Sequence, residues 1–224
     1  MQYKIIIVLL FGLLSFTSNK SNLSSDIVPS VSNTKAENIY HSLNAKNFVL
    51  PNIYTFTKAV EGFYKLKEKG VVQKDFLTLV DFSLSSNVKR FWVIDMKTNT
   101  ILFHSLVAHG RNTGNEFAQY FSNKPESNQS SLGFYATAET YFGKHGYSLR
   151  LDGLEPGINS NARERAIVIH GADYVSENFI QQHGRLGRSF GCPSLPNEIS
   201  KEIIETIKDK SCLYVYYSSN TDKI

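Results

Sequence analysis

Apolar positions change their spacing three times along the chain. Ile5 to Phe16 is an apolar run (IIIVLLFGLLSF) preceded by Lys4. A bilayer-spanning helix needs roughly 20 apolar residues, whereas a secretory core needs only about 7–15. Residues 1–17 therefore read as a signal peptide or an N-terminal anchor, with Ser15, Thr17 and Ser18 supplying small residues near a cleavage point. The chain is expected to be exported to the periplasm or cell envelope. Ser18 to Thr34 is rich in Ser and Asn and reads as a flexible linker, within an extension that runs to residue 50.

From Phe56 the spacing becomes helical. Phe56, Val60, Phe63 and Tyr64 fall at i, i+4, i+7 and i+8, with Lys65, Lys67, Glu68 and Lys69 mostly outward and Gly70 where a helix-ending glycine is expected. Near Leu77 the chain turns to strand chemistry. Phe91–Ile94 and Ile101–Phe103 flank Lys97-Thr98-Asn99, which predicts a β-hairpin. Ala108 to Ser131 is polar, lacks periodicity and reads as a long ordered loop of the kind that often carries function. Ala166–Ile169 is a second strand signal, leading straight into His170. Ser176 opens a short helix with Phe179 and Ile180, which Gly184 ends. Glu198–Lys208, with Ile199, Ile203, Ile204 and Ile207, is an amphipathic helix, and Cys212–Tyr217 a closing strand. These elements predict one mainly β domain with accessory α-helices over residues 51–218.

Composition agrees: 224 residues with 15 Phe and 12 Tyr can bury a sizeable core, and 20% charged residues is not a disordered composition. A net charge of +4, spread along the chain, suits an anionic surface polymer or acidic peptides and excludes a nucleic-acid footprint. Two cysteines, Cys192 and Cys212, rule out a disulfide-dense scaffold but leave one bridge possible in an oxidising compartment.

The chemistry concentrates in Ile169 to Pro196 (IHGADYVSENFIQQHGRLGRSFGCPSLP). Cys192 lies between Gly191 and Pro193 in a loop with Arg185 and Arg188, and nearby positive charge favours the thiolate that acts as nucleophile. Gly191 permits a sharp turn and leaves main-chain N–H groups near the sulfur open to an incoming carbonyl oxygen. His170, at a strand end, can take the thiol proton and return it to a leaving amine. No Asp or Asn stands out to orient its ring, and the Gly171 carbonyl is a candidate for that role. The competing role for Cys192 is a disulfide with Cys212, and for His170 a satisfied core histidine.

His170-Gly171 followed by Ser189-Phe190-Gly191-Cys192 resembles the signature of the L,D-transpeptidases with the YkuD-type catalytic domain. Val107–Arg111, Ser130–Tyr135 and Gly184–Ser189 resemble the murein L,D-transpeptidase branch of that family, and the likeness runs from about Phe56 to Tyr217. The resemblance implies a β-sandwich or barrel catalytic domain and acyl transfer on peptidoglycan stem peptides without metal or organic cofactor. Cys192 would attack a tetrapeptide donor, and the thioester would pass to a diaminopimelate amine, giving a 3→3 crosslink. Water as acceptor would make the site an L,D-carboxypeptidase, and carbapenem-type β-lactams would acylate the same cysteine. Arg188, Ser189 and Tyr135 are the candidate substrate contacts. The chain departs from the signature at Phe190, where a His is usual, and at Ser194, where Asn or Arg is common. Two other classes compete. A zinc peptidase would draw on His109, His145, His170, His183 and Asp173, although no H-E-x-x-H spacing occurs. A non-catalytic wall-binding module would not require the thiol.

Overall fold

The computed structural model describes residues 34–218, so the expected leader and nearly all of the Ser18–Thr34 linker lie outside the described residues. Helix α1 (Lys35–His41) starts at a capping box in which the Thr34 side chain accepts from the Glu37 N–H while Glu37 reaches back to Thr34. Helix α2 (Ile53–Glu68) is capped by Asn52, whose side chain accepts from the N–H groups of Tyr54 and Thr55, and Gly70 at φ +68° follows its end. Its expected stripe is buried: Phe56, Ala59, Val60 and Phe63 face inward. Residues 34–50 are not a linker but part of this domain. Ala36 is buried, Asn44 bridges to Thr100, and the Trp92 Nε1–H donates to Val49 O at 2.8 Å. A helix of two turns is too short to show a period in sequence, so tertiary contacts alone define this stretch.

Eight strands form one sheet: β1 (Phe76–Asp81), β2 (Phe91–Asp95), β3 (Thr100–Ser105), β4 (Gly133–Gly143), β5 (Gly146–Gly153), β6 (Val168–Gly171), β7 (Ser194–Leu195) and β8 (Cys212–Tyr216). Their order is β3-β2-β1-β8-β4-β5-β6-β7, so the fold is mainly β, as the sequence predicts. The last strand in sequence sits mid-sheet, parallel to β1 and antiparallel to β4. Helices α3 (Glu177–His183) and α4 (Asn197–Ile207) complete the domain. α3 is capped by Ser176 and ended by a left-handed Gly184, as expected.

The unbroken apolar strands are explained by burial on both faces. In β2, Phe91 and Val93 pack into one core with Ile203, Ile204 and Ile207 of α4. Trp92 and Ile94 pack into the other with Phe56 and Phe63 of α2. β8 divides likewise, Leu213 and Val215 to the first core and Cys212 to the second.

The polar loop between β3 and β4 is ordered by a buried cation. Arg90 is fully buried and donates to Leu84 O at 2.7 Å, Val107 O at 3.1 Å and His109 Nδ1 at 2.8 Å. Residues 108–111 in turn hold the cysteine loop: Ala108 N–H donates to Ser194 O, Ser189 N–H to His109 O, and Arg111 N–H to Ser189 O. Burial, with Arg90 beside it, lowers the His109 pKa to about 4. The unfolded value is about 6.5. The unfolded chain therefore binds this proton more tightly, so His109 contributes stability above pH 6.5 that is lost as the pH falls toward 4. The full loss is about 3 kcal/mol for a shift of this size. Urea unfolding at pH 7 and pH 4 is expected to show it, with a shallower dependence in His109→Gln, which can still accept from Arg90.

Candidate active site

His170 occupies β6 between two neighbours, opposite Ser148 of β5 and Ser194 of β7. Its ring is buried, and Nδ1–H donates to Gly171 O at 2.8 Å. That bond places the proton of the neutral ring on Nδ1 and leaves the Nε2 lone pair as the acceptor. A Cβ at 171 would lie 2.4 Å from Asn197 Oδ1 and 2.6 Å from Ser200 Oγ, so both side chains would have to shift to admit one. Burial lowers the His170 pKa, the Gly171 carbonyl opposes this, and positive charge on His145 adds to it. His145, in the turn joining β4 to β5, stacks on the ring at 4.3 Å between centroids. His170 is thus neutral at pH 7, in the state that accepts a proton.

Cys192 follows a turn that only glycine suits. Gly191 has φ +126°, and a Cβ there would lie 2.8 Å from Gln129 O and 2.9 Å from Ile167 Cδ1. The Cys192 thiol is free and half-buried, accepting from the Val168 N–H at 3.5 Å and directed at Ala166 O at 3.8 Å. Cys212 is also free, and it belongs to the core on the other face of the sheet, which removes the disulfide alternative. Burial pushes the Cys192 thiol pKa up, against the Val168 N–H and the positive charge of Arg165. The resting state at pH 7 is a neutral thiol. Its hydrogen bonds run to the Val168 backbone at the start of β6 and to Ala166 just before it, two residues or more short of His170.

Several sequence expectations change at this point. The positive charge acting on the sulfur is that of Arg165, not Arg185 or Arg188. Arg165 also donates to Ser122 O, Ser131 Oγ, Ser127 Oγ and Gln129 O, and so ties the long loop to the cysteine. Nothing in Arg163-Glu164-Arg165 distinguishes it from a solvated charge run. Arg188 donates to Gly114 O at 3.1 Å and Asn115 Oδ1 at 2.8 Å, bracing the loop from a half-exposed position. Ser189 holds the turn, donating to Cys192 O at 2.7 Å and accepting from the Gly191 N–H at 3.0 Å. The Gly191 N–H is therefore spent. Among the described residues nothing accepts from the Cys192 N–H, so this donor is open to an incoming oxygen. Tyr135 is not a surface contact: it is buried beneath the loop with its hydroxyl on Ser131 O at 3.0 Å. Its strand position settles this, since β4 is covered where Tyr135 points. Phe190 is exposed under the Arg111 guanidinium, 4.9 Å from its centroid.

The role of Arg165 is testable without substrate. Arg165→Met is expected to raise the thiol pKa by about one unit, slowing iodoacetamide alkylation at pH 7 about tenfold. Arg165→Lys, which keeps the charge, should lose much less. Equal rates in all three proteins would remove Arg165 from the site.

Among the described residues no three His, Cys, Asp or Glu side chains converge to hold a metal ion. A family model described as the L,D-transpeptidase catalytic domain matches residues 47–216. No curated protein matches the sequence. Solved structures that resemble the chain include an L,D-transpeptidase from Mycobacterium smegmatis, at 12% identity and a TM-score of 0.39 over 63% of this chain and 58% of that one. Another is an L,D-transpeptidase in complex with imipenem, at 12% identity and TM-score 0.39, covering 63% and 59%. A third is the helical cell shape determining protein from Campylobacter jejuni, at 13% identity and TM-score 0.44, covering 68% and 54%. The chain thus spans a little over half the length of each of these structures, and the likenesses are distant.

Proposed function

The chain belongs to the L,D-transpeptidase catalytic-domain family, and on that premise we propose that it transfers acyl groups between peptidoglycan stem peptides through a thioester on Cys192. One observation carries the reading. A free, half-buried thiol follows a glycine turn at positive φ in the loop that packs on β6, where a strand-mounted histidine has its Nε2 set as the acceptor by a backbone carbonyl.

His170 Nε2 accepts the thiol proton, and its conjugate acid is held in orientation by the Gly171 carbonyl. The thiolate, favoured by Arg165 and the Val168 N–H, attacks the carbonyl between the L-centre of diaminopimelate and the terminal D-Ala. The Cys192 N–H receives the developing oxyanion. Collapse breaks the C–N bond, and the D-Ala amine departs with the proton held by His170. An amine of a second stem then attacks the thioester, His170 takes its proton, and the thiol is restored. Arg188 and Arg111, beside the exposed Phe190, offer guanidinium groups to stem carboxylates.

Incubation with tetrapeptide muropeptides, read by mass spectrometry, tests the proposal. Cross-linked dimers having lost one D-Ala are expected, and tripeptides if water is the acceptor. The same thiolate should open a carbapenem ring and add its mass to the protein. Unchanged muropeptides together with an unmodified protein would reject the reading.

A further inference from the structure

The lone pair of His170 that should receive the thiol proton is already engaged. Nε2 lies 3.0 Å from Ser194 Oγ, and Ser194 Oγ lies 3.0 Å from the Tyr174 hydroxyl. The protons of this chain can be placed. Nδ1–H is committed to Gly171 O, so Nε2 only accepts and Ser194 must donate to it. Ser194 then has no proton left for Tyr174, so Tyr174 O–H donates to Ser194 Oγ. A hydroxyl oxygen has one proton and two lone pairs. Ser194 has given the proton to His170 and one lone pair to Tyr174, and the second lone pair remains for a donor.

The candidate donor is the Cys192 thiol, whose resting hydrogen bonds run to the Val168 N–H and Ala166 O. Ser194 is fully buried in β7, two residues after Cys192, and its Cα stands opposite His170. Two residues of extended chain span roughly 6.6 Å. The sulfur meanwhile keeps company with the Val168 N–H, two residues before His170 on the facing strand. Cysteine and imidazole are therefore one step out of register, and the Ser194 hydroxyl stands directly across from the imidazole. Tyr174 is fixed against Gly187, where a Cβ would lie 2.3 Å from the Tyr174 Cβ, and a negative charge on Cys192 is felt at its phenol.

We propose that Ser194 is the proton relay between Cys192 and His170, held in its donating orientation by Tyr174. This rests on Cys192 being the nucleophile. As the thiol approaches, the S–H proton passes to Ser194 Oγ while the Ser194 proton passes to His170 Nε2. The S–H and Ser O–H bonds break, a new Ser O–H and an Nε2–H bond form, and Ser194 ends as a neutral hydroxyl. The products are a thiolate accepting from Ser194 and an imidazolium donating to it. When the amine leaves, the same path runs in reverse. Removing the hydroxyl therefore removes a hydrogen bond from the thiolate as well as the path to the base.

The test is the pH profile of iodoacetamide alkylation of Cys192 in the full chain, from pH 6 to pH 10, which needs no peptidoglycan. Ser194→Ala is expected to move the midpoint upward and to slow alkylation at pH 7 about tenfold, as loss of a hydrogen bond to a charged group would. Tyr174→Phe, which keeps the ring in place, should slow it two- to threefold and cover the case in which Ser194→Ala fails to fold. Alkylation by both variants at the wild-type rate across the range would overturn the proposal. A faster Ser194→Ala would overturn it too, showing that the serine merely blocks the base. Muropeptide turnover measured in parallel separates the two readings: a wild type inert on muropeptides but with the expected alkylation pattern would sink the substrate assignment and leave the relay standing.

Discussion

Cys192→Ala is expected to abolish muropeptide conversion, by roughly 10⁴-fold or more, because no other group in the loop can carry the acyl intermediate. The substitution removes one sulfur from a half-buried position whose hydrogen bonds to the backbone of Val168 and Ala166 are long, at 3.5 and 3.8 Å, so the fold should survive it. His170→Ala is expected to lower the rate by about 10²–10⁴-fold, the usual worth of a positioned acid–base group. It should also suppress alkylation of Cys192 near pH 7, since the thiolate loses its proton acceptor. The pair of variants separates an enzyme from a binding module. If both still bind peptidoglycan and the wild type does no more than that, the catalytic account fails. Wild-type activity that chelators abolish and alkylation spares would point to the zinc alternative.

Arg90→Leu is expected to cost about 3–5 kcal/mol of stability, the largest single effect away from the nucleophile. Arg90 is fully buried, and burial lowers its pKa to about 9, against the attraction of Asp81, which still leaves it charged at neutral pH. Leucine would fill much of the volume but leave Leu84 O, Val107 O and His109 Nδ1 without their donor. Each buried acceptor stripped of its partner costs about 1–3 kcal/mol. The consequence reaches the site because His109 and Ala108 hold Ser189 and Ser194 by backbone bonds. Urea unfolding read by tryptophan fluorescence measures the loss, Trp92 being buried in the core. Stability within about 1 kcal/mol of wild type, the worth of one hydrogen bond, would show the guanidinium to be dispensable.

Long elements were legible because their periods are strong. The α2 stripe, the β2–β3 hairpin, the Ser176 and Gly184 ends of α3, and the isoleucine face of α4 all appear where the pattern puts them. The β4–β5 hairpin was not legible as a pair, since its register shifts between Thr137 and Thr140 and its tip reads only as Gly-Lys-His-Gly. β7 has two residues and exists only because β6 is beside it. The loop glycines were legible as turn residues. The partner of each nearby N–H was not, so Gly191 looked like an oxyanion donor although its N–H donates to Ser189 Oγ.

The order of residues in the chain, taken alone, determined the mainly β class and the position of the nucleophile and base candidates, while the oddity of Phe190 and Ser194 emerged only against the signature the chain resembles. The first two depend on local spacing and on residue type, which sequence carries in full. Tertiary structure alone decided that Arg165 rather than Arg185 or Arg188 acts on the sulfur, that Tyr135 is core, and that Cys212 lies on the far face. It also brought His145, Ser194 and Tyr174 to the imidazole. The physical reason is register: a strand's period states which residues share a face, but which of them meet is set by pairing between distant segments, and a shift of one residue would change every neighbour.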